Sequence, residues 1–400
     1  MTFYFIAGEP SSFFTMVNIA YVIKKINPNH VVVAIVPYHG FLAKMEVQEF
    51  FDEFDRVWHL PPCEFQRNIF LGFFRGRAFK KAMKNIVFDE NSIAFAFTSM
   101  EMSVNLLIKH INEKYKSIKV VLLNFTSKKF DCAAVGGRFS KLLTFLNRLY
   151  SFMLDCYHMK SYVDANGQFM YRENCQQLPF PKLVLSDNLL DCNAELEQQG
   201  TRQISLPYPS IIRHSAHIKK QERFVVFFGE GTLANFYVQL DKQFLIKKTA
   251  QYVNAIRNYY AGKNIKVYYK PHPADGEKLM AGCASAGFAI FNERINAEML
   301  FSKYHDDIVA AYTVCSHSVL FGSKYGIPSY WAYEICFTDE ELKNFFRKIT
   351  SDNKSNLLKS LISLDQIGSI DDNKTRTDMN KIVSTWKNGI QILTGEAYVL

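Results

Sequence analysis

Residues 265–273 read IKVYYKPHP. Val267, Tyr268 and Tyr269 are β-branched or aromatic, and they end abruptly in Lys270-Pro271-His272-Pro273, with an Asp275-Gly276 turn just beyond. A run of that composition bounded by proline and glycine is a strand. Proline fixes its own φ and keeps the residue before it out of the helical region. The strand therefore stops at Lys270, and His272 is held between two rigid residues with a cation two positions away.

The same grammar extends outward from this point. RFVVFFGEG (223–231) reads as a strand ending in a carboxylate between two glycines, and 241–261 as a helix. Residues 307–328 read as strand, turn, helix and turn, and SYWAY (329–333) as another strand. Toward the N-terminus, 2–8, 30–37, 56–60, 92–100 and 118–127 read as strands. Helices are expected at 11–26, capped by Ser11 or Ser12, and at 42–54. Strands alternating with helices imply βαβ units and parallel sheets. Residues 137–162 read as one long apolar-basic helix, suited either to core packing or to a membrane face. Residues 163–222 break the rhythm with DANGQ, LPFPK and SLPYPS. The expected division is a first Rossmann-like domain at 1–175, an irregular linker at 176–221 and a second Rossmann-like domain at 222–400.

Composition bounds the function. A chain of 400 residues with 48% hydrophobic and 21% charged content suits two packed domains and excludes disorder. The net charge of +9 favours an anionic partner, although a lysine-rich style of sequence gives the same number. The eight cysteines occur singly with no C-x-x-C pair, as in a chain with reduced thiols. The first residues lack the charged and apolar regions of a signal peptide. No apolar run reaches the roughly 18–20 residues that cross a bilayer. The expectation is a cytoplasmic protein whose membrane contact, if any, is peripheral.

In doubly wound sheets the ligand lies beyond the carboxyl ends of the strands. The residues at those ends are Gly229-Glu230-Gly231, Lys270 to Pro273, and Ser316-His317-Ser318, with Asn296 and Glu298 in the segment between the last two. Lys270 offers a fixed charge and His272 a hydrogen bond to a phosphate. Ser316 and Ser318 precede a helix and could bind phosphate or simply cap. Glu298 could grip ribose hydroxyls or favour the helix dipole. Glu230 is a candidate general base, since Gly229 and Gly231 allow close approach, or an exposed turn carboxylate; Asp241 is a second candidate. The chain has no G-x-x-x-x-G-K-[ST], G-x-G-x-x-G or D-x-D sequence. That argues for phosphate handling by Lys, His and hydroxyls without a metal. Dispersed basic residues argue against nucleic acid.

In order and spacing, Lys270-Pro271-His272-Pro273, Glu298 and the Ser316/Ser318 pair resemble the CMP-binding half of bacterial GT-B-fold sialyltransferases, the lipooligosaccharide sialyltransferases and polysialyltransferases. The resemblance spans 223–334. It implies two Rossmann-like doubly wound domains facing a central cleft. It also implies transfer of N-acetylneuraminate from CMP-sialic acid to a lipooligosaccharide or capsule glycan, with inversion and without metal or other cofactor. His272, Lys270, Ser316 and Ser318 would serve the phosphate, with Pro273 closing the turn, and Glu298 the ribose. The acid-acid-Gly motif of those families is absent from IKVVLLNFTSKKFD (118–131), and GEG at 229–231 matches it only in part. His317 also splits the serine pair. Rival readings are a CMP-Kdo or other nonulosonate transferase, a CDP-polyol transferase of teichoic-acid type, and a non-catalytic nucleotide- or carbohydrate-binding protein. The expected partners are a CMP-activated sugar donor and a glycan or glycolipid acceptor. Peripheral contact with the inner membrane and a homodimer are left open.

Overall fold

A computed structural model describes residues 1–7, 10–37, 48–63, 69–96, 102–123, 145–146, 149–150, 152–154, 160–163, 169–172, 183–186, 202–213, 223–229, 242–272, 284–285, 287–352, 357–368 and 378–395. The chain forms two compact units, Met1–Pro209 with Asp378–Leu400, and Ser210–Thr377.

The first unit runs β1 (Thr2–Ile6), α1 (Pro10–Ile26), β2 (Val31–Pro37), a 3-10 turn (Gln48–Glu53), β3 (Arg56–Leu60), α2 (Ile69–Lys84), β4 (Ile93–Ala96), α3 (Met102–Lys114) and β5 (Lys119–Leu123). A separate antiparallel hairpin, β6 (Lys160–Val163) and β7 (Phe169–Arg172), precedes β8 (Leu183–Ser186) and β9 (Arg202–Ser205). The sheet order is β3-β2-β1-β4-β5-β8-β9, and every pair in it is parallel. All residues of β1 and β4 are buried. Strands covered on both faces read as continuous apolar runs, which is why they were legible. Tyr4, Ile6, Val33, Ile35, Phe79, Phe88 and Ile108 belong to the core beneath the sheet.

Several local expectations are corrected here. The helix after β1 begins at Pro10, so Ser11 and Ser12 lie within its first turn. Proline is tolerated there because a first-turn N–H has no helical partner anyway. Of the helix expected at 42–54, residues 42–47 lie outside the described residues and Gln48–Glu53 form a 3-10 turn. The long helix expected at 137–162 does not run to its end, since β6 begins at Lys160. Residues 145, 146, 149, 150, 152 and 153 are helical.

The second unit runs β10 (Phe224–Phe228), α4 (Lys242–Tyr260), β11 (Lys266–Lys270), β12 (Ala289–Ile290), α5 (Ala297–Lys303), β13 (Ile308–Thr313), α6 (Ser318–Lys324), β14 (Ser329–Trp331), α7 (Tyr333–Cys336), α8 (Glu340–Asp352) and β15 (Leu358–Ser360). Its order is β12-β11-β10-β13-β14-β15, again with every pair parallel. Aromatic rings fill its core. Tyr312 stacks on Tyr330 at 4.7 Å and shares a 2.6 Å hydroxyl contact with Tyr260. Burial pushes the Tyr312 phenol well above its ordinary range.

The final helix, α9 (Met379–Thr394), departs from the expected division, because it belongs to the first unit. Asp378 caps it, accepting from the N–H groups of Asn380 and Lys381, and Gly395 closes it at φ 80°. Trp386 is wholly buried and its Nε1 donates to Pro207 O at 2.9 Å. Lys119 Nζ donates to the carbonyls of Leu393 and Thr394, both at 3.0 Å, where a cation suits the helix dipole. The expected linker is also divided: β8 and β9 extend the first sheet, while Ser210 onward joins the second unit. Strands of four residues carry too little alternation to stand out among turn formers. Among the described residues, no helix is long and apolar enough to cross a membrane.

Candidate functional site at the reversal of the second sheet

From β10 the chain builds outward to β11 and β12, then returns to place β13, β14 and β15 on the other side. The reversal falls between β10 and β13. Loops leaving adjacent strands diverge at such a point and open a crevice at the carboxyl ends.

Three of the expected segments meet at this edge. Gly229, just past β10, is buried and its N–H donates to Lys270 O at 2.9 Å. That bond sets the Lys-Pro-His turn directly beside the end of β10. Pro271 is half-buried and His272 is exposed. The Lys270 ammonium donates to Glu293 O at 2.7 Å and lies 5.6 Å from the centre of the Phe291 ring. The first role visible for this lysine is thus to tie the strand end to the segment leading into α5. Glu293 is itself held, with Oε1 accepting from Tyr304 Oη and Oε2 from Lys303 Nζ at 3.3 Å.

That segment carries Glu298. Asn296 caps α5, its side chain accepting the Met299 N–H at 2.8 Å. Glu298 sits in the first turn with 7% of its surface exposed. A carboxylate there favours the helix dipole. Its burial leaves little surface for a ligand.

The serines are organised by a residue that pattern reading passed over. Thr313, the last residue of β13, is fully buried. Its Oγ1 donates to Phe228 O at 3.3 Å and accepts the Ser316 N–H at 3.2 Å. Ser316 Oγ donates to Ser318 Oγ at 3.0 Å and accepts the Ser318 N–H at 3.3 Å. Trp331 Nε1 donates to Ser316 O at 2.8 Å. The two hydroxyls are therefore adjacent in space although His317 separates them in sequence. His317 keeps an exposed surface, yet its ring lies 6.4 Å from both Trp331 and Phe346. Desolvation against that aromatic wall lowers its pKa below the ordinary histidine value. A threonine ending the apolar run IVAAYT (308–313) was the one available signal for this arrangement.

Glu230, Gly231, Asp241 and Pro273 lie outside the described residues. Among the described residues, the edge offers hydroxyls, backbone N–H groups and an imidazole, groups suited to an anionic ligand.

No protein-family model matches the chain, and no curated protein matches it by sequence. Solved structures do. A UDP-GlcNAc 2-epimerase from Methanocaldococcus jannaschii superposes with a TM-score of 0.52 at 10% identity, covering 99% of this chain and 100% of its own. A sialyltransferase GT-B domain from Photobacterium damselae gives a TM-score of 0.43 at 14% identity, covering 90% and 98%. With its two parallel sheets, the chain has an α/β fold of the GT-B-like class.

Proposed function

We propose that this chain is a glycosyltransferase that moves N-acetylneuraminate from CMP-sialic acid to a cell-surface glycan, of lipooligosaccharide or capsule type. The observation that carries the reading is the meeting of Gly229, the Lys270-Pro271-His272 turn and the Ser316/Ser318 pair at the reversal point of the second sheet. In the proposed reaction an acceptor hydroxyl oxygen attacks the anomeric carbon as the carbon–phosphate oxygen bond breaks. The bonding pair leaves with CMP, the acceptor proton passes to a carboxylate, and configuration inverts. Glu230 is the first candidate for that carboxylate and Asp241 the second. His272, Lys270 and the two serine hydroxyls offset the charge gathering on the departing phosphate. This set of donors supports transfer without a metal. The acceptor would be met at the cytoplasmic face of the inner membrane.

The test is release of CMP from CMP-N-acetylneuraminate with a galactose-terminated acceptor, in the presence of chelator, for wild type and His272→Ala. Release by wild type, strongly reduced in the variant, is expected. Release only from CMP-Kdo or a CDP-polyol would keep the phosphate site and change the donor. Conversion of UDP-GlcNAc without an acceptor would favour an epimerase, the activity named for the archaeal neighbour. Nucleotide binding without turnover of any donor would favour a binding protein.

A further inference from the structure

Within the nucleotide site proposed above, on which this rests, we propose that the serine pair works as a relay: of the two hydroxyls only Ser318 donates to the donor phosphate, and Ser316 and Trp331 are positioning residues that act through it. A hydroxyl can give one hydrogen bond and accept two. Ser316 has committed each of its polar groups. Its N–H donates to Thr313 Oγ1 at 3.2 Å, and its carbonyl accepts from Trp331 Nε1 at 2.8 Å. Its Oγ donates to Ser318 Oγ at 3.0 Å and accepts the Ser318 N–H at 3.3 Å. Ser318 Oγ accepts within this chain and, among the described residues, donates to no other group. Ser318 also keeps part of its surface exposed. A hydroxyl that already accepts a hydrogen bond donates more strongly, because each bond in a chain polarises the next. The outer member of the pair therefore suits a phosphate oxygen, which only accepts.

Trp331 fixes the inner member. It ends β14 and is wholly buried. Its own place is set by the core: Tyr333 and Phe346 pack on it with ring centres at 5.9 and 5.5 Å, and the Leu361 N–H donates to its carbonyl at 2.8 Å. A buried indole N–H without a partner is costly, which keeps the bond to Ser316 O made. The ring of His317 meets the same indole edge-on at 6.4 Å. One side chain thus holds Ser316 by its carbonyl and His317 by its ring. Thr313 from β13 takes the Ser316 N–H, so two adjacent strands grip this serine from both sides of its backbone. Its hydroxyl is thereby aimed at Ser318.

The experiment is calorimetric titration of the full chain with CMP and with cytidine, which lacks the phosphate. Ser318→Ala should lose about tenfold or more in CMP affinity, the size of a hydrogen bond to a charged group, and bind cytidine as before. Ser316→Ala should lose less, because the Ser318 hydroxyl survives it. The Ser316→Ala/Ser318→Ala double variant should be no weaker than Ser318→Ala, since a residue that acts only through another adds nothing once that one is gone. Trp331→Phe should likewise weaken CMP, spare cytidine and add nothing to Ser318→Ala. A merely structural role would move both ligands together. The chain holds three tryptophans, and in a nitrogen-15 spectrum the Trp331 indole N–H should shift on adding CMP while those of Trp58 and Trp386 stay. Ser318→Gly replaces the alanine variant if its thermal midpoint falls. Losses that multiply in the double variant would overturn the relay and leave the nucleotide site standing. So would unchanged CMP affinity in Ser318→Ala where His272→Ala still weakens it. A wild type that binds CMP no more tightly than cytidine would overturn the site and the relay with it.

Discussion

Thr313 Oγ1 donates to the carbonyl of Phe228 at 3.3 Å, joining the ends of the two strands between which the second sheet reverses. The same oxygen accepts from Ser316 N–H, so one hydroxyl holds both the end of β10 and the turn that carries the two serines. Thr313 is a positioning residue in the proposed site: it acts through Ser316 and Ser318.

Thr313→Val keeps the shape and removes both bonds. Leaving a buried carbonyl and N–H without this partner costs about 1–3 kcal/mol of stability. Isothermal titration should also show weaker CMP binding, with Thr313→Ser restoring it. If the valine variant lost stability but bound CMP as tightly as wild type, the positioning role would be refuted and only a structural one kept.

Gly322 lies in α6 where an added Cβ would meet Ser329 Oγ at 2.5 Å and Phe301 Cζ at 2.9 Å. Ser329 is fully buried and donates to Ile327 O, so it has no room to yield. Gly322→Ala should destabilise by about 1–3 kcal/mol through overpacking, although alanine is the better helix former. A chemical denaturation midpoint equal to wild type would contradict this.

Trp386→Ala addresses the unit to which the last helix belongs. Removing this buried ring and its bond to Pro207 should cost about 3–5 kcal/mol. Hydrogen exchange should report the loss in β1 and β4 and leave β10 and β13 unaffected. Loss of protection in the second unit alone would mean that α9 stabilises that unit instead.

His110 is buried in the first unit, with Nε2 lacking a hydrogen bond. Desolvation first, then Lys114 and Lys84, lower its pKa. The unfolded chain therefore binds the proton more readily, and stability falls as pH drops below the ordinary histidine value. Above that value the group contributes no pH dependence. His110→Leu should flatten the slope between pH about 6.5 and the lowered native pKa. Parallel slopes for the two proteins would exclude His110 as the cause.

Strand after strand was legible because local chemistry and global burial agree there. FVVFF (224–228) is apolar throughout and TFYFI (2–6) is so after Thr2, because each is central in a parallel sheet and covered on both faces. Prolines and glycines then mark where strands stop, which places Lys270, His272 and Gly229 at a carboxyl edge from the sequence alone. What needed the tertiary structure depends on partners distant in sequence. The return of α9 to the first unit rests on contacts such as Trp386 with Pro207, and nothing local to 379–394 encodes which unit it covers. The short strands β8, β9, β12 and β15 exist because a neighbouring strand offers them hydrogen bonds. Ser316 and Ser318 are candidates by type, but their adjacency comes from Thr313 and Trp331. The stretch at 145–154 shows the division most plainly. Its composition fits a core or a membrane face, and only packing decides that Tyr150 turns in while Phe152 turns out. Pattern within one segment sets what an element is, because propensity and periodicity are local; which element it meets is set by long-range packing that a single segment cannot encode.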